Sequence, residues 1–227
     1  MRRKALILCV SLVLQFAIAC EKKEGAGEAA KPSVKCETLT SEQIQEIINK
    51  VNAMPLEPGE PNEYAVIETD YGDMVIQFFP DKAPLHTQYF KRLAKAGFYD
   101  CTLFHRVQKG FVIQGGDILS RDADPNNDGT GNAGYRIPAE FNDIPHDKGI
   151  VSMARGRDPN SAGTQFFICL KRLPFLDGKY TVFGRVIEGL DVLDKIASVP
   201  TTRQPRMQEK SRPVKPVYIR RVRMITR

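Results

Sequence analysis

Ile44, Ile47, Ile48, Val51 and Met54 recur at the three- and four-residue spacing that lines one face of an α-helix, so the pattern predicts a helix over residues 40–54. Thr40 with Gln43 supplies a capping box at its start. The apolar stripe has to be covered, either by the rest of the chain or by a partner or second copy. Pro55, Pro58, Gly59 and Pro61 then break the pattern and read as a linker. Beyond it the period changes. Residues 64–69 and 73–79 flank Asp70-Tyr71-Gly72, which reads as a β-hairpin. Pro84 opens a second helix that closes at Gly97, with Leu85, Tyr89, Leu93 and Phe90 facing inward. Short β-like runs follow at 103–107, 111–114, 150–154, 165–170 and 181–186, then a short helix over 190–197. Residues 217–225 alternate as a terminal strand with Arg220 and Arg221 at solvated positions. Many short strands with few helices argue for a mainly β protein, an antiparallel sandwich or barrel.

The first residues follow a different logic. Met1-Arg2-Arg3-Lys4 is basic, and Ala5 to Ala19 is apolar except for Ser11 and Gln15. That run is short for a membrane span and has the layout of a signal peptide over 1–19. It ends Ala17-Ile18-Ala19-Cys20 and turns polar at Glu21-Lys22-Lys23-Glu24. Small residues before a cysteine resemble the bacterial lipobox, although Ala17 stands where Leu is usual. The expectation is an exported lipoprotein acylated at Cys20 and held to a membrane of the cell envelope; plain secretion after cleavage at Ala19 is the alternative. Residues 20–36, rich in Gly, Ala, Lys and Glu, read as a flexible tether. The helix and Pro-rich linker occupy 37–62, and the main domain 63–227.

Composition narrows the function classes. Apolar residues make up 42% and charged residues 26%, ordinary for a soluble globular domain. The net charge of +6 suggests a nucleic-acid partner only until it is divided along the chain. Arg2, Arg3 and Lys4 lie in the leader, and residues 201–227 carry nine basic side chains against one acid, Glu209. The stretch between is net negative, so no nucleic-acid binding is expected. The basic C-terminus reads as a solvated edge, or else as a docking surface for anionic lipid or a partner. Past the leader, cysteines remain at 20, 36, 101 and 169. With Cys20 acylated the remainder is odd, and a Cys36–Cys101 bridge is compatible with an oxidising compartment but not fixed by spacing. No pair has CxxC spacing and His86, His105 and His146 are scattered, so neither a metal nor a cofactor is expected.

Two motifs fail on context. Gly129-Thr130-Gly131-Asn132-Ala133-Gly134 is a literal GxGxxG, but no apolar strand precedes it and no helix pattern follows. Asp124-Pro125-Asn126-Asn127-Asp128-Gly129 begins like a calcium loop, yet Tyr135 occupies the position that needs a bidentate acid.

The informative stretch is Phe104-His105-Arg106-Val107-Gln108-Lys109-Gly110-Phe111-Val112-Ile113-Gln114-Gly115-Gly116-Asp117. It resembles the cyclophilin signature F-H-R-x-x-x-G-F-x-x-Q-G-G-D at every fixed position. Residues 149–154 resemble the family's central strand, Thr164-Gln165-Phe166-Phe167-Ile168 its S/T-Q-F-F-I run, and residues 175–184 its W/F-L-D-G-K-H/Y-x-V-F-G segment. The resemblance covers 63–227. It implies a closed eight-stranded antiparallel barrel capped by two helices, to which this chain adds an N-terminal helix. It also implies peptidyl-prolyl cis–trans isomerase activity on proline-containing polypeptides, bound in a groove on the outside of the barrel.

Residue by residue, the resemblance makes Arg106 the catalytic donor, with Gln114 orienting it and Phe111 beside it. Val112, Phe167 and Leu176 join Phe111 around the proline ring, and Ala154 and Gln165 line the neighbouring groove. Arg155, where Asn is common, offers its backbone N–H to the substrate carbonyl. His105 and the glycines of the signature read as structural. Val112 stands where Met is frequent, Tyr180 where His is frequent, and Phe175 where many members carry Trp. The missing indole N–H at Phe175 implies weak cyclosporin binding. A proline-segment binding module with incidental catalysis is the main alternative function, and a surface adhesin using the basic tail is a third.

Overall fold

The structure is a computed structural model and describes residues 34–204 and 209–227. The residues expected to form the signal peptide, Cys20 and nearly all of the expected tether lie outside the described residues. Among the described residues no helix is long and apolar enough to cross a membrane.

In chain order the elements are α1 (Ser41–Ala53), β1 (Glu63–Thr69), β2 (Gly72–Phe78), α2 (Pro84–Ala96), β3 (Thr102–Leu103), β4 (Arg106–Gln108) and β5 (Val112–Gly115). There follow β6 (Ile150–Met153), β7 (Phe166–Cys169), β8 (Val182–Glu188), α3 (Leu190–Ala197), β9 (Thr201–Arg203), β10 (Lys210–Pro213) and β11 (Tyr218–Thr226). Nine strands form one sheet in the order β3-β11-β1-β2-β8-β6-β7-β5-β4, and β9 pairs only with β10. All pairings are antiparallel.

The two edge strands of that sheet, β3 and β4, are separated in sequence only by Phe104 and His105. The sheet therefore curls until its ends meet in one stretch of chain. Counted as a single interrupted strand, β3 and β4 bring the number to the expected eight. The hydrogen-bonded ladder itself stays open there, giving a curled half-barrel closed by covalent chain. This also corrects the expectation of one strand over 103–107. Phe104 N–H donates to the Val217 carbonyl at 2.9 Å, whereas Arg106 already pairs with Gln114 on the opposite edge.

Local signals place the helices. The Thr40 hydroxyl accepts from the Gln43 amide at 3.4 Å and the Gln43 side chain accepts from the Thr40 amide at 2.9 Å, completing the capping box of α1. Ile44 and Val51 are buried in the main core, with Ile47, Ile48 and Met54 packed beside them. The stripe is thus covered by this chain's own domain. Cys36 is bonded to Cys101, and Arg220 donates to the Val34 carbonyl at 3.1 Å, so the lead-in to α1 is fixed before residue 37.

Helix α2 starts at Pro84 and ends at Gly97, whose φ of 75° is the left-handed cap glycine tolerates. Its buried face is centred on Phe90 and Leu93 with His86 alongside, while Leu85 and Tyr89 are only partly buried, a shift from the expected face. Tyr89 packs on Tyr135 at a centroid distance of 4.6 Å with Arg92 over its ring, which holds it at the flank. Phe90 enters the barrel and contacts the rings of Phe78, Tyr99, Phe166 and Phe183 at 4.9–5.6 Å. The interior is a packed core, so a ligand has to bind outside it.

Strand β11 explains the basic C-terminus. Arg220 pairs with Asp70, Arg223 with Glu68 and Arg227 with Glu188. These side chains form an ion-paired edge with the neighbouring strands and loops, so much of the charge is offset locally.

Candidate active site

Strands β5 and β7 carry apolar side chains on both faces, whereas β4 carries one, Val107, on its inner face. Val107, Ile113 and Ile168 join the interior core, whereas Val112, Phe167 and Cys169 form a second cluster with Ile150, Leu173, Leu176 and Val182. Because side chains alternate along a strand, the neighbours of the interior residues face outward. Register then places Arg106 opposite Gln114 and Gln114 opposite Phe167, a row across three adjacent strands. An apolar floor and a polar edge are thereby built on one external surface.

Over that surface lies a pocket of about 670 Å³. Arg106, Phe111, Val112, Gln114, Ala154, Arg155, Gln165, Phe167, Leu176 and Tyr180 all line it. Phe175 does not. It stands at the rim, 57% exposed, with its ring stacked on Phe111 at 5.9 Å. The Arg155 amide makes no hydrogen bond to the described residues, while the Ala154 amide before it is taken by the Gln165 carbonyl at 2.9 Å. The Arg155 side chain folds away onto the Lys179 carbonyl, through Nε at 3.0 Å and Nη2 at 2.7 Å, with its guanidinium over the Tyr180 ring.

The rejected GxGxxG loop also lines the pocket, together with Tyr135, Arg136, Ser161 and Thr164. Its shape comes from Asp117, whose carboxylate accepts from the amides of Leu119 and Gly129. A β-carbon on Gly131 would lie 2.1 Å from Asp117 Oδ1, so glycine there serves close approach to a carboxylate and not to a nucleotide. Burial raises the Asp117 pKa, partly offset by these amide bonds.

At the polar edge the Arg106 guanidinium is held from several sides. Nε donates to Glu209 Oε1 at 2.5 Å, and Nη2 donates to Glu209 Oε2 at 3.1 Å and to Gln108 Oε1 at 2.9 Å. Nη1 donates to Gln114 Oε1 at 3.3 Å. The relay continues from Gln114 Nε2 to Gln165 Oε1 at 3.1 Å and from Gln165 Nε2 to the Gly131 carbonyl at 3.0 Å. The Arg106 side chain is 17% exposed and its Cζ lies 5.4 Å from the Phe111 ring centroid. The bond from Arg106 holds the Glu209 carboxyl below its usual pKa against the opposing effect of burial.

Sequence reasoning missed Glu209, and also Gln108. The available signal was that Glu209 is the sole acid among the basic residues of 201–227. It missed His146 as a support as well: its ring stacks on Phe167 at 6.1 Å and its nitrogens face Asp177 and Ser152, each at 3.1 Å. His105 is buried, and its pKa is pushed down to about 4 by burial and then by Arg106, so the imidazole is neutral at pH 7. Among the described residues no His, Cys, Asp and Glu side chains cluster as a metal site requires.

Fold and site together define a β protein with an external, apolar-floored peptide groove edged by one pinned guanidinium. Residues 64–224 match the family profile described as cyclophilin type peptidyl-prolyl cis-trans isomerase/CLD. A probable peptidyl-prolyl cis-trans isomerase of Brucella abortus is 42% identical over 142 residues, spanning 60% of this chain and 72% of that protein. The peptidyl-prolyl cis-trans isomerase of Synechococcus elongatus is 44% identical over 144 residues, 60% of this chain and 93% of the relative. Among solved structures, a Cryptosporidium parvum cyclophilin type isomerase, crystallised in the presence of the dipeptide Ala-Pro, superposes with a TM-score of 0.64 at 30% identity. That alignment covers 72% of this chain and 99% of the other. The chain belongs to the cyclophilin-type peptidyl-prolyl cis–trans isomerase family, and it is an isomerase of X-Pro bonds.

Proposed function

We propose that this isomerase acts on exported or envelope proteins and accelerates rotation by aiming one N–H of Arg106 at the twisting prolyl amide. An X-Pro bond must cross a barrier of about 18–20 kcal/mol because rotation breaks the resonance between nitrogen and carbonyl. No bond is made or broken, so the useful device is an environment that favours the twisted amide over both planar forms. In the twisted state the prolyl nitrogen becomes pyramidal and basic, and a fixed donor stabilises that state selectively.

The observation that carries this reading is the donor count on Arg106. A guanidinium has five N–H groups and cannot lose its charge near neutral pH. Glu209 takes two of them, Gln108 one and Gln114 one. One hydrogen on Nη1 remains, on a side chain that lines the groove. The donor is therefore single and its direction is set by its neighbours. In this scheme Gln114 orients Arg106 and bonds substrate backbone. Phe111, Val112, Phe167 and Leu176 grip the proline ring, the free Arg155 amide takes the substrate carbonyl, and Ala154, Gln165 and Tyr180 bound the neighbouring groove. NMR exchange spectroscopy on an X-Pro peptide tests the scheme; a groove that binds the peptide without accelerating exchange would favour a proline-segment binding module.

Cyclosporin binding is proposed to be weak, because Phe175 offers no N–H at the rim. Phe175→Trp is expected to lower the inhibitory concentration about tenfold, the worth of one added hydrogen bond. An unchanged value would remove the indole argument.

The lipobox-like Ala17-Ile18-Ala19-Cys20 supports a lipid anchor at Cys20 that keeps the enzyme at the cell envelope. The full chain expressed in a bacterium is expected to partition into the detergent phase and to move to the aqueous phase on Cys20→Ser. Aqueous partition of the unmodified chain would instead indicate plain secretion.

A further inference from the structure

The hairpin β9–β10 lies outside the main sheet and brings a carboxylate, Glu209, to Arg106. Its fit to the site is built from several bonds. Gln204, only 5% exposed, donates through Nε2 to the His105 carbonyl at 2.8 Å, on the residue just before Arg106. The Gln204 amide donates to the Glu209 carbonyl at 3.0 Å, closing the hairpin. Ser211 Oγ donates to Glu209 Oε1 at 2.9 Å, which fixes the carboxylate. Arg212 reaches the opposite loop through the Pro125 carbonyl at 3.1 Å and Asp128 at 3.6 Å. The Glu209 side chain is 24% exposed and takes both Nε and Nη2 of Arg106.

We propose that Glu209 is the positioning residue of this isomerase: its two-point grip sets the plane of the Arg106 guanidinium and leaves the free Nη1 hydrogen facing the groove. The proposal rests on the reading of Arg106 as the donor to the prolyl nitrogen. A guanidinium on three aliphatic carbons rotates freely, and a neutral acceptor such as Gln108 or Gln114 holds only one hydrogen each. A carboxylate matches the guanidinium fork in both spacing and charge, and so fixes an orientation that single bonds leave loose. Charge is also redistributed. With Glu209 beside it, the guanidinium attracts a distant peptide less but presents one directed bond at the twisting amide. Loss of Glu209 should therefore act on turnover more than on binding.

The test uses the full chain and NMR exchange on an X-Pro peptide over a range of peptide concentrations. Glu209→Ala is expected to lower kcat about tenfold, the order of effect that a misdirected catalytic group produces, with KM changed less than about twofold. Glu209→Gln, which keeps one acceptor for Nε, should recover part of that loss. In ¹⁵N spectra the Arg106 Nε–H, assigned by its absence in Arg106→Ala, should be downfield and slow to exchange in the parent. It should move upfield in Glu209→Ala while the remaining amide spectrum is retained. Parent-like or higher kcat in Glu209→Ala would overturn the proposal, as would a loss confined to KM. If Glu209→Ala does not fold, Glu209→Gln decides by the same kcat and Nε–H criteria. Arg106→Ala run alongside separates the two levels. Full turnover in Arg106→Ala would sink the underlying donor reading, whereas its loss there with normal kcat in the Glu209 variants would sink only the role of Glu209.

Discussion

Arg106→Ala is expected to lower kcat/KM toward an X-Pro peptide by about two to three orders of magnitude, the usual consequence of removing one preorganised donor to a charge-developing atom. The loss should fall on kcat. Peptide affinity comes mainly from the apolar floor of Val112, Phe167 and Leu176, which the substitution leaves in place. Arg106→Lys is expected to be nearly as damaging. One ammonium group has three donors around a single nitrogen and cannot reach Glu209, Gln108 and Gln114 while still presenting a hydrogen to substrate. Exchange rates at saturating and subsaturating peptide measure both parameters. Equal losses in affinity and turnover would mean that the groove binds proline segments without preferring their twisted form.

Removing the Cys36–Cys101 bridge with the double variant Cys36→Ser, Cys101→Ser is expected to cost about 4 kcal/mol by the chain-entropy argument for a loop of this length. The bridge spans 65 residues and encloses α1, β1, β2 and α2. Reducing that loop's freedom in the unfolded chain is the source of the stabilisation. For a domain of this size the midpoint of thermal unfolding should fall by about 8–16 °C. Cys169 will not complicate the measurement, since it is buried and its thiol pKa is pushed up to about 12 by burial. Identical melting curves for the two proteins in oxidising buffer would refute the expectation. A chain anchored at residue 20 would meet its folded part at a covalently fixed point, so reduction would lengthen the reach of the tether.

The elements that were legible in advance share a physical origin. Thr40 and Gln43 cap α1 through bonds three residues apart, and Pro84 and Gly97 bound α2 through their own backbone preferences. Asp70 and Tyr71 turn β1 into β2 with Thr69 opposite Gly72. Such signals depend on neighbours within a few residues, and any reading of the chain can weigh them. The same holds for the continuous apolar run Phe166-Phe167-Ile168-Cys169, buried at every position because one face meets the interior and the other the groove floor. The run was visible as a strand; its second buried face required the pocket to explain it.

Other features were decided by chain segments far apart. Ala83 at the start of α2 has no capping side chain. Glu140 supplies the cap instead, accepting from the amides of Leu85 and His86 at 2.9 Å each. The break between β3 and β4 reflects two different partner strands, neither of which the local pattern names. The rejected glycine loop turned out to line the pocket, because Asp117 folds it there.

By itself, then, the sequence determined the class of this protein: its periodicities, its turn chemistry and the motif around Arg106 specify a mainly β fold with a proline-directed groove. Only the tertiary structure decided how the guanidinium is held. Arg106 and Glu209 are 103 residues apart. Their pairing exists because β9–β10 docks through Gln204 beside His105, a contact between distant segments that no local spacing encodes.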